Sequence, residues 1–241
     1  MEQQFFKVIV AGTEHFDLAP MICEEMAASA KARGTGIARR TPEYLQQKMT
    51  EGKAVIAFSM QGEWAGFCYI ETWSHGKYVA NSGLIVSPNF RKGGLARMIK
   101  RKIFDLSRNM YPDAKIFGLT TGLAVMKINS DLGYEPVTYS ELTDDDAFWA
   151  GCKSCINYDI LVSKERKNCL CTAMLYDPAE QLQSLEQPAE TRQMATGEGM
   201  TFASWLALIG YQLSIIRYWF GNTWLSYLSK PRVMKPITNN Q

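Results

Sequence analysis

The sequence predicts an α/β fold, a mixed sheet flanked by helices, followed by an amphipathic helical tail. The segments run strand, helix, helix, strand, strand, then a further strand and its helix, an order that suits a mixed sheet flanked by helices. Within them, Ser82 to Ile99 reads as a buried strand, a Pro-bounded turn and a glycine-containing loop that opens a helix. From Met200 to Ile216 there is no charge, and apolar residues recur at three- and four-residue steps. With 241 residues, 46% hydrophobic and 21% charged, the chain can bury one core of ordinary size plus an appendage.

Phe5 to Val10 predicts a first strand. Leu18 to Arg33 predicts a helix, with Ile22, Met26 and Ala30 on one face. Gly34 to Arg40 is a loop, and Thr41-Pro42-Glu43-Tyr44 marks a helix start, with Thr as cap and Pro at the first helical position. Ala54 to Met60 and Ala65 to Trp73 form a hairpin about Gln61-Gly62-Glu63. Strands follow at Ser82 to Val86, with its helix from Leu95, and at Lys115 to Thr120, with a helix from Ala124 to Gly133. Ile156 to Val162 and Leu170 to Leu175 read as strands of a cysteine-containing hairpin over 151–176. Residues 1–176 are therefore expected to form one domain, 177–199 a linker and 200–241 the tail.

The loop at Arg91-Lys92-Gly93-Gly94-Leu95-Ala96 has the makings of an anion cradle. Two glycines let successive N–H groups converge, and the helix that opens there adds its positive end. Arg91, Lys92 and Arg97 add charge, while Leu95, Met98, Ile99 and Ile103 recur at helical spacing. A diphosphate suits such a turn; so does an ordinary strand-to-helix connection with solvated cations.

Arg91-x-x-Gly94-x-Ala96, preceded by Leu84-x-Val86-x-Pro88, resembles the coenzyme A loop of the GNAT N-acyltransferases, and the segments up to Gly133-Tyr134 continue the likeness. The resemblance implies a GNAT-like, mostly antiparallel sheet. It also implies acetyl-CoA or another short acyl-CoA as co-substrate and the amine of a small acceptor as partner. Gly118 to Ala124 and Asn129 to Tyr134 also look like the subgroup linked to arginine biosynthesis, which implies glutamate as acceptor. By the same resemblance, backbone N–H groups near Ile85 and Val86 would hold the thioester oxygen. Many members place a Tyr four residues before the glycine that here is Gly133; this chain has Asn129, which can hydrogen-bond the pantetheine arm but cannot protonate the leaving sulfur.

An amine attacking a thioester requires a proton acceptor. Glu71, late in the strand before the cradle strand, is the first candidate, with His75 in the next turn second. The alternatives are a solvent-facing strand residue and a turn residue. Arg39 and Arg40 suit bidentate contact with an acceptor carboxylate, and Thr120 (with Lys48 and Thr121) can line the acceptor cleft. Adjacent arginines in a loop are also commonly solvated.

Cys152-x-x-Cys155 and Cys169-x-Cys171 have the count of a four-thiolate zinc site. The expected hairpin argues against one shared metal. It pairs Cys169 near Val162, so Cys155, seven residues further on, lies on the order of 23 Å away. Small buried cysteines or two separate pairs are the expectation over zinc. Cys23 and Cys68 read as core.

A net charge of +2 with no basic run excludes nucleic acid as an expected partner. Met1-Glu2-Gln3-Gln4-Phe5-Phe6 has no secretory pattern, so a cytoplasmic location with reduced thiols is expected. The tail carries Trp205, Trp219 and Trp224 with Arg217 and Lys230, and can dock on the core, on a second subunit in a homodimer, or on a membrane surface. The competing function is a non-catalytic GNAT-derived module, stapled by zinc or tethered by its tail, that binds coenzyme A or another protein.

Overall fold

The computed structural model describes residues 5–32, 34 and 40–186, the last four by backbone alone. Nearly all of them belong to the unit that ends at Gln183. Strand β1 (Phe6–Val10) leads to helix α1 (Ala19–Ala32) and helix α2 (Pro42–Thr50). Thr41 caps α2 through its Oγ1, which accepts from the Tyr44 N–H at 3.3 Å. Strands β2 (Ala54–Ser59) and β3 (Trp64–Trp73) form the expected hairpin, and β4 (Tyr78–Val86) precedes α3 (Leu95–Met110). Next come β5 (Lys115–Thr120), α4 (Leu123–Ser130), β6 (Glu135–Val137), α5 (Asp146–Ala150), α6 (Tyr158–Ser163), β7 (Thr172–Tyr176) and α7 (Pro178–Glu186).

The strands order as β1-β2-β3-β4-β5-β7-β6, and every neighbouring pair is antiparallel except β4 with β5. The mixed, mostly antiparallel sheet expected from the resemblance is present. Alternation along β3 divides the core between two faces. Phe67 and Tyr69 pack with Ile22 and Met26 of α1 and Leu45 and Met49 of α2. Cys68 and Ile70 pack with Leu95, Ile99 and Ile103 of α3. A third cluster, with Phe117, Tyr139, Trp149 and Leu161, lies beneath the segment that carries α5 and α6.

Two expectations need correction. Ile156 to Val162 is no strand: α6 occupies most of it, so there is no cysteine hairpin over 151–176. A short apolar run has no period of its own, and here one residue, Leu161, is buried while Ile156 and Val162 are exposed. Second, 178–186 of the expected linker is helical. Residues 187–199 and the tail at 200–241 lie outside the described residues. No described helix is long and apolar enough to cross a membrane.

The β3–β4 ladder slips by one residue between Phe67↔Ile85 and Tyr69↔Ser82. Gly83 and Leu84 together oppose Cys68, a β-bulge whose first residue is Gly83 at φ +65°. A Cβ at Gly83 would stand 2.3 Å from Tyr69 Cε1. Gly62, in the β2–β3 turn at φ +84°, has open space at the same position. Gly62→Ala should therefore cost about 1 kcal/mol, the left-handed strain alone. Gly83→Ala should cost about 1–3 kcal/mol more through overpacking. Urea unfolding of the two variants measures the difference.

Candidate active site

Strands β4 and β5 pair only at Tyr78↔Lys115, Val79↔Ile116 and Ala80↔Phe117. Beyond these the two strands part, although β4 continues to Val86 and β5 to Thr120. A cleft of about 700 Å³ occupies the opening. From β4 it takes Asn81, Ser82, Gly83 and Leu84, and from β5 Gly118, Leu119 and Thr120. At the bulge Gly83 and Leu84 have no register partner of their own in the β3 ladder, whereas Asn81 and Ser82 stay paired with Ile70 and Tyr69. Ile85 and Val86, which pair with Phe67 and Gly66, are absent from the lining.

On the α1/α2 face the lining includes Arg40, Tyr44, Tyr69 and Glu71. Glu71, 8% exposed, holds the centre of this group. Its Oε1 accepts from Arg40 Nη2 at 3.0 Å and from Tyr44 OH at 2.5 Å. Arg40 Nε donates to Tyr69 OH at 2.7 Å. Burial, then the adjacent Glu71 carboxylate, pushes both tyrosine hydroxyls well above the usual range, so they stay protonated donors. Trp73, Phe117 and Phe148 add an aromatic wall, with Phe148 5.1 Å from Trp73 and 5.0 Å from Phe117 between ring centroids. Phe148 sits there because Asp145 caps α5, accepting from Ala147 N at 2.9 Å, and also accepts from Ser74 N at 3.2 Å.

On the α3/α4 face the lining includes Lys100 and Asn129. Lys100 is 2% exposed, and its Nζ lies 5.3 Å from the centre of the Tyr134 ring. Burial draws its pKa below the usual lysine value, against a smaller opposing effect of Cys68. Asn129 is 1% exposed; its Nδ2 reaches Met174 Sδ at 3.7 Å, and its Oδ1 has no partner.

The glycine turn is built as the sequence suggests. Gly94 at φ +81° is the N-cap of α3 and has open space where a Cβ would stand. Among the described residues, the N–H groups of residues 92–96 have no backbone partner. Arg91 turns away from the loop: its Nε donates to Val86 O at 3.0 Å, and its Nη2 reaches Glu25 Oε1 at 2.9 Å and Ser29 Oγ at 2.8 Å. It fastens the loop to α1, while Lys92 at φ +67° shapes the turn and stays exposed. Arg97 pairs with Asp131.

Of the remaining residues expected at the site, Thr120 lines the cleft and its Oγ1 accepts from Gly122 N at 3.0 Å. His75, at φ +56°, lines a separate depression with Tyr111 and Lys115. Arg39 lies outside the described residues. The cysteines are closer than a hairpin would allow, and the distance argument against a shared ion falls with it. Cys152, Cys155 and Cys171 line the cleft, and Asn157 joins Cys155 to Cys169, its N–H 3.5 Å from Cys155 Sγ and its carbonyl 3.7 Å from Cys169 Sγ. Among the described residues, no three Cys, His, Asp or Glu side chains are arranged to hold a metal ion.

Sequence reasoning missed Tyr44, Tyr69, Trp73, Phe148 and Lys100. Lys100 left one signal, its place four residues after Ala96 and four before Phe104 on the inward stripe of α3.

No protein-family model and no curated protein matches the sequence. Solved structures do match. N-acetylglutamate synthase from Neisseria gonorrhoeae, complexed with coenzyme A and N-acetyl-glutamate, aligns with a TM-score of 0.51 at 16% identity over 72% of this chain and 35% of that one. Rv2747 from Mycobacterium tuberculosis, in complex with CoA and NLQ, aligns with a TM-score of 0.51 at 15% identity over 71% of this chain and 98% of that one. This chain thus spans about a third of the Neisseria protein. The fold is that of the GNAT N-acetyltransferases.

Arg40→Met would leave the Glu71 carboxylate buried without its counter-charge, and should cost about 3 kcal/mol in denaturant unfolding. Burial, then Cys169, Cys155 and Cys152, pushes the Cys171 thiol up to about 11. Iodoacetamide alkylation of Cys171, followed by mass spectrometry, should accelerate about tenfold per pH unit well above neutrality and level off only near that value.

Proposed function

We propose that the chain is an acyl-CoA-dependent N-acyltransferase that acylates the amine of a small acidic amino acid, with glutamate as the acceptor. The observation that carries this reading is the opening between β4 and β5. It is a passage through the sheet with different chemistry at its two ends, as a reaction between a large thioester and a small amine requires.

The α3/α4 end suits the thioester. Unpartnered N–H groups at residues 92–96 and the start of α3 fit the linked phosphates of coenzyme A, with Gly94 leaving the approach open. Asn129 has an unpartnered amide oxygen for the N–H groups of a pantetheine arm. The α1/α2 end suits the amine. Glu71 attracts the acceptor ammonium and takes its proton, and Arg40 and Tyr44 hold the carboxylate in place. The nitrogen then attacks the thioester carbon, and the carbonyl oxygen gathers negative charge. Backbone N–H groups of β4 along the opening, at the bulge of Ser82–Leu84 that lines the cleft and near Ile85 and Val86, are the donors this reading assigns to that charge.

The acceptor follows from charge and from the neighbours. The lining carries the cations Arg40 and Lys100 against the single carboxylate Glu71, an excess of positive charge that favours an anionic acceptor. The Neisseria neighbour was crystallised with N-acetyl-glutamate. The arginine-biosynthesis subgroup resembled by Gly118 to Ala124 would use the same acceptor.

A thiol-release assay with acetyl-CoA and succinyl-CoA against a panel of amino acids tests the reading. Glutamate should give the highest kcat/KM, and Glu71→Gln should lower it by about 100-fold. No thiol release with any amine, together with no calorimetric binding of coenzyme A, would overturn the assignment.

A further inference from the structure

Lys100 is a lysine buried in the wrong place for stability. Among the described residues it has no hydrogen bond and no ion pair, and only an aromatic face and a thiol answer its charge. An uncompensated ammonium in an apolar core is costly, and a methionine of similar length would fill the same space on α3 without that cost. The side chain opens onto the cleft, where the amide oxygen of Asn129 is also without a partner. Two unsatisfied polar groups on the same wall mark where a polar ligand completes them.

We propose that Lys100 is the acid that protonates the departing sulfur of coenzyme A. This rests on the acyl-transfer reading above and assigns a step that reading leaves open. Elimination supports the choice. The amide of Asn129 holds no transferable proton. Tyr44 donates to Glu71, and Tyr69 receives Arg40, both at the acceptor end. The Cys152 and Cys171 thiols are made weaker acids by burial and by the neighbouring thiols, Cys155 and Cys169 for Cys152 and Cys169, Cys155 and Cys152 for Cys171. The Cys155 thiol belongs to the segment just before α6, whereas Lys100 stands on the α3/α4 wall with Asn129, about 7.5 Å along the helix from Leu95 at 1.5 Å per residue.

The step balances. The acceptor nitrogen, having given its proton to Glu71, bonds to the carbonyl carbon. The C–S bond then breaks and its electron pair passes to sulfur. One proton moves from Lys100 Nζ to that sulfur, which leaves coenzyme A as the free thiol and Lys100 as a neutral amine that water reprotonates. A depressed lysine pKa brings donor and thiol closer in acidity, which favours the transfer. The titratable groups facing Nζ are the Cys68 thiol on β3 and the Tyr134 hydroxyl, with Glu71 and Arg40 across the cleft.

The test compares the full chain with Lys100→Met and Lys100→Gln, using acetyl-CoA and glutamate. Both variants should lower kcat about 100-fold, keep the calorimetric Kd for coenzyme A within about threefold, and lose the alkaline fall in kcat that the wild type shows. Lys100→Met should also melt higher than the wild type, so failure to fold is not expected; Lys100→Gln, which keeps a polar donor without a transferable proton, provides the second reading. A kcat within threefold of wild type, or an alkaline limb that persists in both variants, overturns the assignment while leaving acyl transfer intact. A wild type that neither binds coenzyme A nor releases thiol overturns the acyl-transfer reading itself.

Discussion

The parting of β4 and β5 after Ala80 and Phe117 is the constraint on which the rest of this structure depends. A parallel pair is normally held along its whole length by evenly spaced hydrogen bonds. Here three registers of pairing give way to open backbone, and buried N–H and C=O groups must find partners elsewhere. The bulge at Gly83 is the local device that keeps β4 attached to β3 on one edge while its other edge lets go. The left-handed φ of Gly83 and the Tyr69 ring lying against its Cα both require the residue without a side chain. Tyr69 thus serves twice, fixing the bulge by contact and receiving Arg40 at its hydroxyl.

An opened sheet would fill with water or collapse unless its walls were held apart. The three walls are held in different ways. On the α1/α2 side the support is polar: Glu71, Arg40, Tyr44 and Tyr69 are linked by charge-assisted hydrogen bonds among β3, α2 and Arg40, two residues before α2. On the C-terminal side it is aromatic, with Trp73, Phe117 and Phe148 in edge-to-face and tilted contact. The α3/α4 wall differs from both, since Lys100 and the Asn129 amide oxygen are buried there without being satisfied. A protein tolerates such costs where activity needs them. The wall with unmet polar groups is the one we assign to the thioester.

Much of the fold was legible because its periodicities are strong. β2, β3, β5 and α3 fall within a residue or two of their expected bounds, since alternation and the inward stripe of α3 have single physical explanations. The site was less legible, because it depends on departures from period. Ile85 and Val86, expected near the thioester oxygen, lie just past the β4 bulge, and the extra residue there, which no periodicity announces, sets Gly83 and Leu84 against the single residue Cys68. Arg91 looks like a phosphate ligand in the sequence, yet its guanidinium reaches back to Glu25 and Val86, contacts between elements far apart in the chain. His75 is four residues from Glu71 but beyond the end of β3, so it faces another depression. Lys100 was hidden among Arg97, Arg101 and Lys102, where a cation is ordinarily read as solvated.

The cysteine segment shows how one element's geometry propagates into chemistry. As a strand, Ile156 to Val162 would rise about 3.3 Å per residue and carry Cys155 far from Cys169. As helix α6 it rises about 1.5 Å per residue, and Asn157 at its start touches both Cys155 and Cys169. Shortening the path draws the thiols together, and their proximity then acts on their acidity: ionising one beside the others costs more, on top of the cost of burial. Ahead of this segment, α5 sets Phe148 over Phe117 at the far wall of the cleft. Cys152 and Cys155, just before the segment that sequence periodicity misassigns, line the opening together with Phe148 and Cys171, and burial beside the other thiols makes Cys152 and Cys171 weaker acids there.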